Sequence, residues 1–236
     1  MTANSAARQS RRERPAKPAL TRDGIIATAV DLMRAEGLER VTMRRLAQEL
    51  DTGPASLYVY VRNTAELHAA VLDELLAGVD LSPVTAEGDW RERLVRVLMS
   101  YTDLLFAYPG LARSAVAARP FGTYFLNLTE GVLALLHEGG VAPDRAAWLV
   151  DVLLQFGTAT AAEHAWRGPD EDGHNEEDWE ALAAGLMGAS ERTHPRIAAL
   201  GPRLLSGSPQ ERLVWGFHVL INGVAHTPVP DVPTPL

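Results

Sequence analysis

The sequence predicts an all-α protein built from a small N-terminal domain and a larger C-terminal one. Apolar residues recur at helical spacing along most of the 236 residues. No window alternates apolar and polar residues between turn signals, as a half-buried strand would. Charge divides the chain as well: residues 1–62 hold 11 basic and 7 acidic side chains, whereas residues 63–236 hold 11 basic and 23 acidic ones. A basic end on an acidic body favours contact between that end and phosphate groups.

The composition excludes several classes of protein. Apolar residues make up 47% and charged residues 22% of the chain, an ordinary balance for a globular protein. No run of 18 apolar residues is present, and no apolar segment follows the N-terminal arginines as in a secretory signal. The absence of cysteine excludes disulfides, thiolate metal sites and cysteine nucleophiles. These observations predict a cytoplasmic protein without a membrane partner.

Residues 1–19 are polar and rich in arginine, so we expect them to form a disordered basic arm. Five positive charges stand against the single carboxylate of Glu13. The basic residues are Arg8, Arg11, Arg12, Arg14 and Lys17. Such an arm would strengthen binding to DNA without selecting a sequence.

Residues 20–78 show four successive helix signals, which define the predicted N-terminal domain. Thr21 is a plausible N-cap for a first helix that ends at Gly37. Thr42 caps a second, short helix, and Pro54 suits the first position of a third. Asn63, with a glutamate three residues later, starts a fourth. The segment from Gly78 to Gly88 is then the predicted domain boundary.

The second and third helices form a helix-turn-helix, in which the later helix enters the major groove of DNA. Their apolar residues would pack the pair together: Leu46, Ala47, Leu50, Leu57 and Val61. Ala55, Ser56, Val59 and Tyr60 would then point outward, with Tyr58 beside them. Tyrosine hydroxyls bind phosphate, and Arg44 of the second helix would reach a guanine edge or a phosphate. Two short amphipathic helices around a turn also occur in helical proteins that bind no DNA.

The same residues carry a family resemblance. The run Thr42-Met-Arg-Arg-Leu-Ala-Gln-Glu-Leu50, followed by Gly53-Pro-Ala-Ser-Leu-Tyr-Val-Tyr-Val-Arg-Asn63, resembles the DNA-binding domain of TetR-family transcriptional regulators, especially the tetracycline-repressor-like branch. The resemblance implies a double-stranded, palindromic DNA operator as partner. It places DNA contacts at Thr42, Arg44, Gly53, Pro54, Ala55, Ser56, Tyr58, Val59, Tyr60, Arg62 and Thr64.

Two positions depart from that family pattern. The family usually has glycine in the turn where this chain has Asp51. Aspartate tolerates the left-handed conformation better than most residues, so we expect the turn to survive. The family often has lysine where this chain has Thr64, which predicts a weaker phosphate contact there.

Residues 79–236 are predicted to form a helical ligand-binding and dimerisation domain. The expected helices span 89–107, 109–118, 122–138, 143–165, 176–193 and 209–225. The acidic segment 168–178 is expected to be an exposed loop, and the proline-rich tail 227–236 an extended segment.

The predicted helices 143–165 and 209–225 are apolar nearly all round, which requires burial on several sides. The family resemblance favours a four-helix interface of a homodimer. The expected interface residues are Trp148, Val152, Trp215, Val219 and Leu220. Alternatively, both are ordinary central helices of one subunit.

The aromatic residues of this half belong either to an ordinary core or, as in the family, to a cavity for a small apolar ligand. The candidate cavity residues are Tyr101, Phe106, Phe121, Phe125, Gln155, Phe156 and His164.

No motif for catalysis, metal binding or a cofactor is recognisable, because the histidines lack ligand spacing and no glycine-rich loop follows a strand. We therefore predict that the chain is not an enzyme and needs no cofactor. The sequence indicates a ligand-responsive regulator that represses transcription as a homodimer. The alternative is a helical ligand-binding or scaffold protein whose helix-turn-helix no longer binds DNA.

Overall fold

The computed structural model describes residues 19–117, 119–166 and 174–230. Every regular element in these ranges is helical, and no strand is found among them, which confirms the predicted all-α class. No helix in the described ranges is long and apolar enough to cross a membrane. The predicted arm lies outside the described residues apart from its last position, as do residues 167–173 and the end of the tail.

Four α-helices make up the N-terminal part. They are α1 (Arg22–Glu36), α2 (Met43–Glu49), α3 (Pro54–Leu57) and α4 (Thr64–Leu76), with a 3-10 turn at Leu38–Arg40. The predicted caps are confirmed, because the side chains of Thr21, Thr42 and Asn63 each accept a backbone N–H three residues later. These caps fix where α1, α2 and α4 begin.

Seven α-helices follow. They are α5 (Trp90–Ala107), α6 (Pro109–Ala117), α7 (Thr123–Glu138), α8 (Pro143–Trp166), α9 (His174–Met187), α10 (Pro195–Leu200) and α11 (Pro209–Gly223). Shorter 3-10 turns lie at Ser82–Val84, Gly201–Leu205 and Val224–His226.

Two predictions for the C-terminal half need correction. The predicted helix 176–193 ends at Met187, and a separate α10 follows that the sequence reasoning missed. The acidic segment is not a loop throughout, because α9 already begins at His174. Acidic residues in the first turn of a helix are stabilised by its dipole, so a run of carboxylates is compatible with a helix start.

Helix α4 joins the two halves, because it packs against α1 on one side and against α6 and α7 on the other. The His68 ring of α4 lies 3.0 Å from the Val41 carbonyl, just before α2, and 3.5 Å from the Ser114 hydroxyl of α6. Asp73, also on α4, accepts the backbone N–H of Phe125 at the start of α7. His68 thus connects the segment before the helix-turn-helix to α6, and Asp73 connects α4 to α7.

The connection between α4 and α5 is fixed by Arg93, whose side chain is buried. Its guanidinium donates to the carbonyls of Val84 at 3.3 Å and Ala86 at 2.7 Å, and it forms an ion pair with Glu138 of α7. The ion pair and the carbonyl acceptors offset most of the cost of burying this guanidinium, so they hold the connection against α5 and α7.

Candidate nucleic-acid interface and ligand cavity

The helix-turn-helix is present and packs as predicted. Leu46, Ala47, Leu57 and Val61 are buried between α2, α3 and their neighbours, and Leu50 is half-buried. Asp51 occupies the turn with φ of 48°, the left-handed conformation expected for it. The N–H of Thr52 then bonds to the carbonyl of Ala47 at 2.9 Å, which closes the turn. Aspartate therefore replaces the usual glycine without opening the motif.

The residues at the start of α3 have small side chains and are exposed to solvent. Gly53, Pro54, Ala55 and Ser56 are all exposed. A Cβ placed on Gly53 would meet no atom within 4 Å. Small exposed residues let a backbone approach base edges closely, which suits a helix that enters the major groove.

The residues after α3 divide into two groups. Tyr58 and Val59 are exposed to 52% and 80%. Tyr60 is half-buried, and its hydroxyl donates to the Leu20 carbonyl at 2.8 Å. The prediction that Tyr60 points outward is therefore wrong. It assumed helical spacing beyond Leu57, where α3 ends and the chain continues as turns.

Two neighbouring arginines of α2 have different surroundings. Arg45 bonds to Glu36 of α1 at 2.5 Å and to Glu49 at 2.8 Å, which raises the pKa of its guanidinium and lowers the pKa of the Glu36 carboxyl. Arg44 is exposed, and within the described ranges it makes no ion pair with a carboxylate. Arg44 is thus the arginine of α2 that remains available to DNA.

The start of α4 holds two further predicted contacts. Arg62 is exposed and bonds to Glu66 at 2.9 Å, and its hydrogen bond to that carboxyl lowers the pKa of Glu66. Thr64 is half-buried at the first position of α4, and Thr42 is exposed at the N-cap of α2. Phosphate groups that approach here would meet helix N-termini and an arginine.

A cavity of about 120 Å³ lies in the C-terminal bundle, between α5, α6, α7 and α8. Its apolar wall comprises Ala115, Val116, Pro120, Phe125, Leu154 and Ala159, and its polar wall Tyr101, Arg119, Asp151, Gln155 and Thr158. Arg119 and Asp151 form an ion pair and are both about half exposed.

The floor of the cavity carries a hydrogen-bond chain. The Thr158 hydroxyl donates to the Leu154 carbonyl at 2.8 Å, so the Tyr101 hydroxyl, 2.6 Å away, is the donor to Thr158. Burial raises the pKa of Tyr101, which keeps its hydroxyl neutral. The floor is therefore polar but uncharged.

Three of the seven predicted cavity residues line this space: Tyr101, Phe125 and Gln155. Phe156 faces α11 instead, where its ring meets Phe217 edge-on at 5.2 Å. Phe121 is 61% exposed beside α1 and α4, and Phe106 packs against the core. The side chain of His164 lies outside the described residues. Helical spacing alone did not show which face of α8 turns towards α6.

The sequence reasoning missed Arg119, Asp151 and Thr158 as cavity residues. Arg119 and Asp151 are 32 positions apart and meet only through the packing of the α6–α7 connection on α8. No local spacing signals such a pair.

The predicted dimer residues lie on one stretch of exposed apolar surface along α8 and α11. The exposed fraction of the side chain is 50% for Trp148, 40% for Val152, 69% for Trp215 and 46% for Val219. Leu220 is half-buried. Tryptophan and valine exposed to this extent on adjacent helices form the kind of patch that marks an interaction site.

Comparisons with known proteins agree with this architecture. Residues 25–71 match the tetR family of bacterial regulatory proteins, and residues 82–227 match the tetracyclin repressor-like C-terminal domain. An HTH-type transcriptional regulator of Saccharopolyspora erythraea is 30% identical over 89% of this chain and 87% of its own length.

Two solved structures extend the comparison. SCO7704 of Streptomyces coelicolor, classed as a transcription regulator, is 57% identical with a TM-score of 0.77, over 92% of this chain and all of its own. The TetR family protein ActR of Streptomyces coelicolor, solved in complex with actinorhodin, is 33% identical with a TM-score of 0.74, over 88% of this chain and 96% of its own. The chain belongs to the tetR family of bacterial regulatory proteins and is a transcriptional regulator.

Proposed function

We propose that the chain is a cytoplasmic repressor that binds a palindromic operator as a homodimer and leaves it when a small molecule enters the C-terminal cavity. The observation that carries the proposal is the exposed surface of α2, α3 and the turn after it. On this surface Arg44 forms no ion pair with any described residue, and Ser56 and Tyr58 are open to solvent. This surface lies on the same chain as a cavity of about 120 Å³ with apolar and polar walls.

Operator recognition divides between the two short helices. Arg44, with Ser56 and Ala55 at the start of α3, would approach base edges in the major groove. Gly53 and Pro54 would let the backbone come close, and Val59 would contact a thymine methyl group. The phosphate contacts would come from Tyr58, Arg62, Thr42 and Thr64. Tyr60 is not proposed as a DNA contact, because its hydroxyl donates a hydrogen bond to the Leu20 carbonyl.

Dimerisation would bring the apolar stretches of α8 and α11 from two copies together. Burial of Trp148, Val152, Trp215 and Val219 would remove their exposed surface from water, with Leu220 at the edge of the interface. A two-fold axis between the subunits would place two α3 helices on successive major grooves, roughly 34–36 Å apart.

The ligand would be a small, largely apolar ring system with a polar edge. Phe125, Leu154 and Val116 offer apolar surface to the ring. At the mouth, Arg119 would donate to a carbonyl or carboxylate, while Asp151 would accept from a hydroxyl or amine. ActR, which is 33% identical, was solved in complex with actinorhodin, and this supports a small-molecule ligand for the present chain.

The test begins with selection of duplexes from a random pool and measurement of their affinity by fluorescence anisotropy at several salt concentrations. We expect a palindromic site with nanomolar-range affinity that falls steeply with salt. Actinorhodin, together with small aromatic compounds that carry a hydroxyl, amine or carboxylate, is then titrated into the complex. Phe125→Leu should weaken the response to an active compound, whereas Leu126→Ala, on the exposed side of α7, should not. A folded dimer that selects no duplex would identify the chain as a ligand-binding or scaffold protein.

A further inference from the structure

A buried carboxylate connects the DNA-binding helices to the wall of the cavity. Asp73 of α4 is only 7% exposed. It accepts the backbone N–H of Phe125 at 2.9 Å and lies 3.5 Å from that of Tyr124, both in the first turn of α7. A buried carboxylate is costly unless it is paired, and the N–H groups and dipole at the start of α7 supply that pairing.

Gly122 permits this close approach. It is the N-cap of α7, and a Cβ at this position would overlap the Asp73 carboxylate. Its φ is −86°, which any residue adopts, so the reason for glycine here is space and not backbone conformation. Asp73 of α4 can therefore lie this close to the start of α7 only because residue 122 has no Cβ.

The two ends of this contact reach different sites. On one side, Phe125 donates its backbone N–H to Asp73 and presents its side chain to the cavity. On the other side, Asp73 belongs to α4. The N-cap of α4, Asn63, directly follows residues 53–62, which comprise α3 and the turn after it and are called the recognition segment. Helix α4 packs on α1, and its His68 ring lies 3.0 Å from the Val41 carbonyl just before α2. A movement of the α7 start would therefore shift α4 and, through these contacts, the helix-turn-helix.

We propose that Asp73 is the positioning residue through which the cavity wall sets operator affinity. The inference rests on the proposed function. A ligand that shifts Phe125 would weaken the Asp73 bond, release α4 and change the distance between the two recognition segments of the dimer. Such coupling is reciprocal, so operator binding would weaken the ligand by the same factor.

The test is a double-mutant cycle that needs no ligand. Gly122→Ala should weaken affinity for the selected duplex about tenfold, because the new methyl group pushes α4 away from α7. In an Asp73→Ala background the overlap is gone, so the same change should alter affinity less than about twofold. Gly185→Ala is the matched control, since its Cβ meets no atom within 4 Å. Light scattering and thermal melts establish that each variant is a folded dimer.

A distance measurement separates positioning from simple loss of packing. The chain has no cysteine, so Gln48→Cys, at an exposed position of α2, gives one spin label per subunit. We expect Gly122→Ala to shift the distance between labels, and the double variant to show the same distance distribution as Asp73→Ala alone. Asp73→Asn keeps an acceptor for Phe125 and should keep the wild-type distance, whereas Asp73→Ala should broaden it.

The outcomes are distinguishable. A wild-type dimer that selects no duplex overturns the proposed function, and this inference with it. If the duplex is bound equally by wild type and Gly122→Ala, or if Asp73→Ala leaves the tenfold effect intact, only the inference about Asp73 fails. If Gly122→Ala does not fold, equal label distances in Asp73→Asn and Asp73→Ala still overturn it.

Discussion

The two halves of the molecule hold their polar side chains in different ways. In the N-terminal part, ion pairs join residues no more than nine positions apart, as Arg45 with Glu49 and Glu36, or Arg62 with Glu66. In the C-terminal part they join residues far apart, as between Arg93 and Glu138. Local pairs depend little on tertiary packing, whereas distant pairs exist only once the bundle has formed. The recognition surface is therefore a property of a short segment, and the cavity is a property of the whole bundle.

The largest expected effect tests whether the bundle also supplies the dimer. Trp215→Asp would place an unpaired charge in the proposed interface, at a cost of several kcal/mol. We expect light scattering to show monomers and operator binding to be lost. Leu126→Asp on α7, which is similarly exposed but lies off the α8–α11 surface, should remain a dimer. A dimeric Trp215→Asp would place the interface on another surface.

The next prediction contrasts a distant ion pair with a local one. Arg93→Met would leave the carbonyls of Val84 and Ala86 without their donor and Glu138 without its cation. We expect the free energy of unfolding to fall by roughly 2–4 kcal/mol, measured by urea denaturation. Arg45→Met removes exposed pairs, which contribute little to stability, and should cost clearly less. Equal losses would contradict the distinction between the two halves.

The same distinction explains how far the sequence predicted the structure. The caps at Thr21, Thr42 and Asn63 are local features, and they were predictable because the signal lies within a few residues. The left-handed Asp51 was expected from the family resemblance, which has glycine at this position of the turn. Tyr60 was misplaced because the pattern does not show that α3 stops after four residues.

The cavity was only partly predictable for the opposite reason. Hydrophobic periodicity identifies the buried faces of α5 and α8, but it does not show which neighbour each face meets. Phe156 and Phe125 are equally plausible cavity residues by spacing, yet one packs on Phe217 of α11 and the other lines the cavity. The Arg119–Asp151 pair and the Asp73 contact arise from packing between distant segments, which one sequence does not encode in any local pattern.

A smaller effect is expected at the recognition surface, where neighbouring arginines provide their own control. If Arg44 contacts a guanine, Arg44→Ala should cost about 1–3 kcal/mol of operator affinity and relax specificity at one symmetric position. Arg45→Ala should leave the preferred sequence unchanged, because its guanidinium is held by Glu36 and Glu49. Selection experiments with each variant measure this. An unchanged sequence preference in Arg44→Ala would assign Arg44 to a phosphate.

The smallest expected effects separate two tyrosines that are two positions apart. Tyr58→Phe removes an exposed hydroxyl, so operator affinity should fall by about 0.5–1.5 kcal/mol, equally for all sequences. The free energy of unfolding should stay the same. Tyr60→Phe removes the hydrogen bond to Leu20, so stability should fall by about 0.5–1.5 kcal/mol. Its effect on affinity should be indirect, through the anchoring of the chain before α1. Anisotropy titrations give the operator affinity of each variant, and urea denaturation gives its free energy of unfolding. If Tyr60→Phe loses affinity without losing stability, then its hydroxyl exchanges Leu20 for phosphate when DNA binds, and Tyr60 returns to the contact surface.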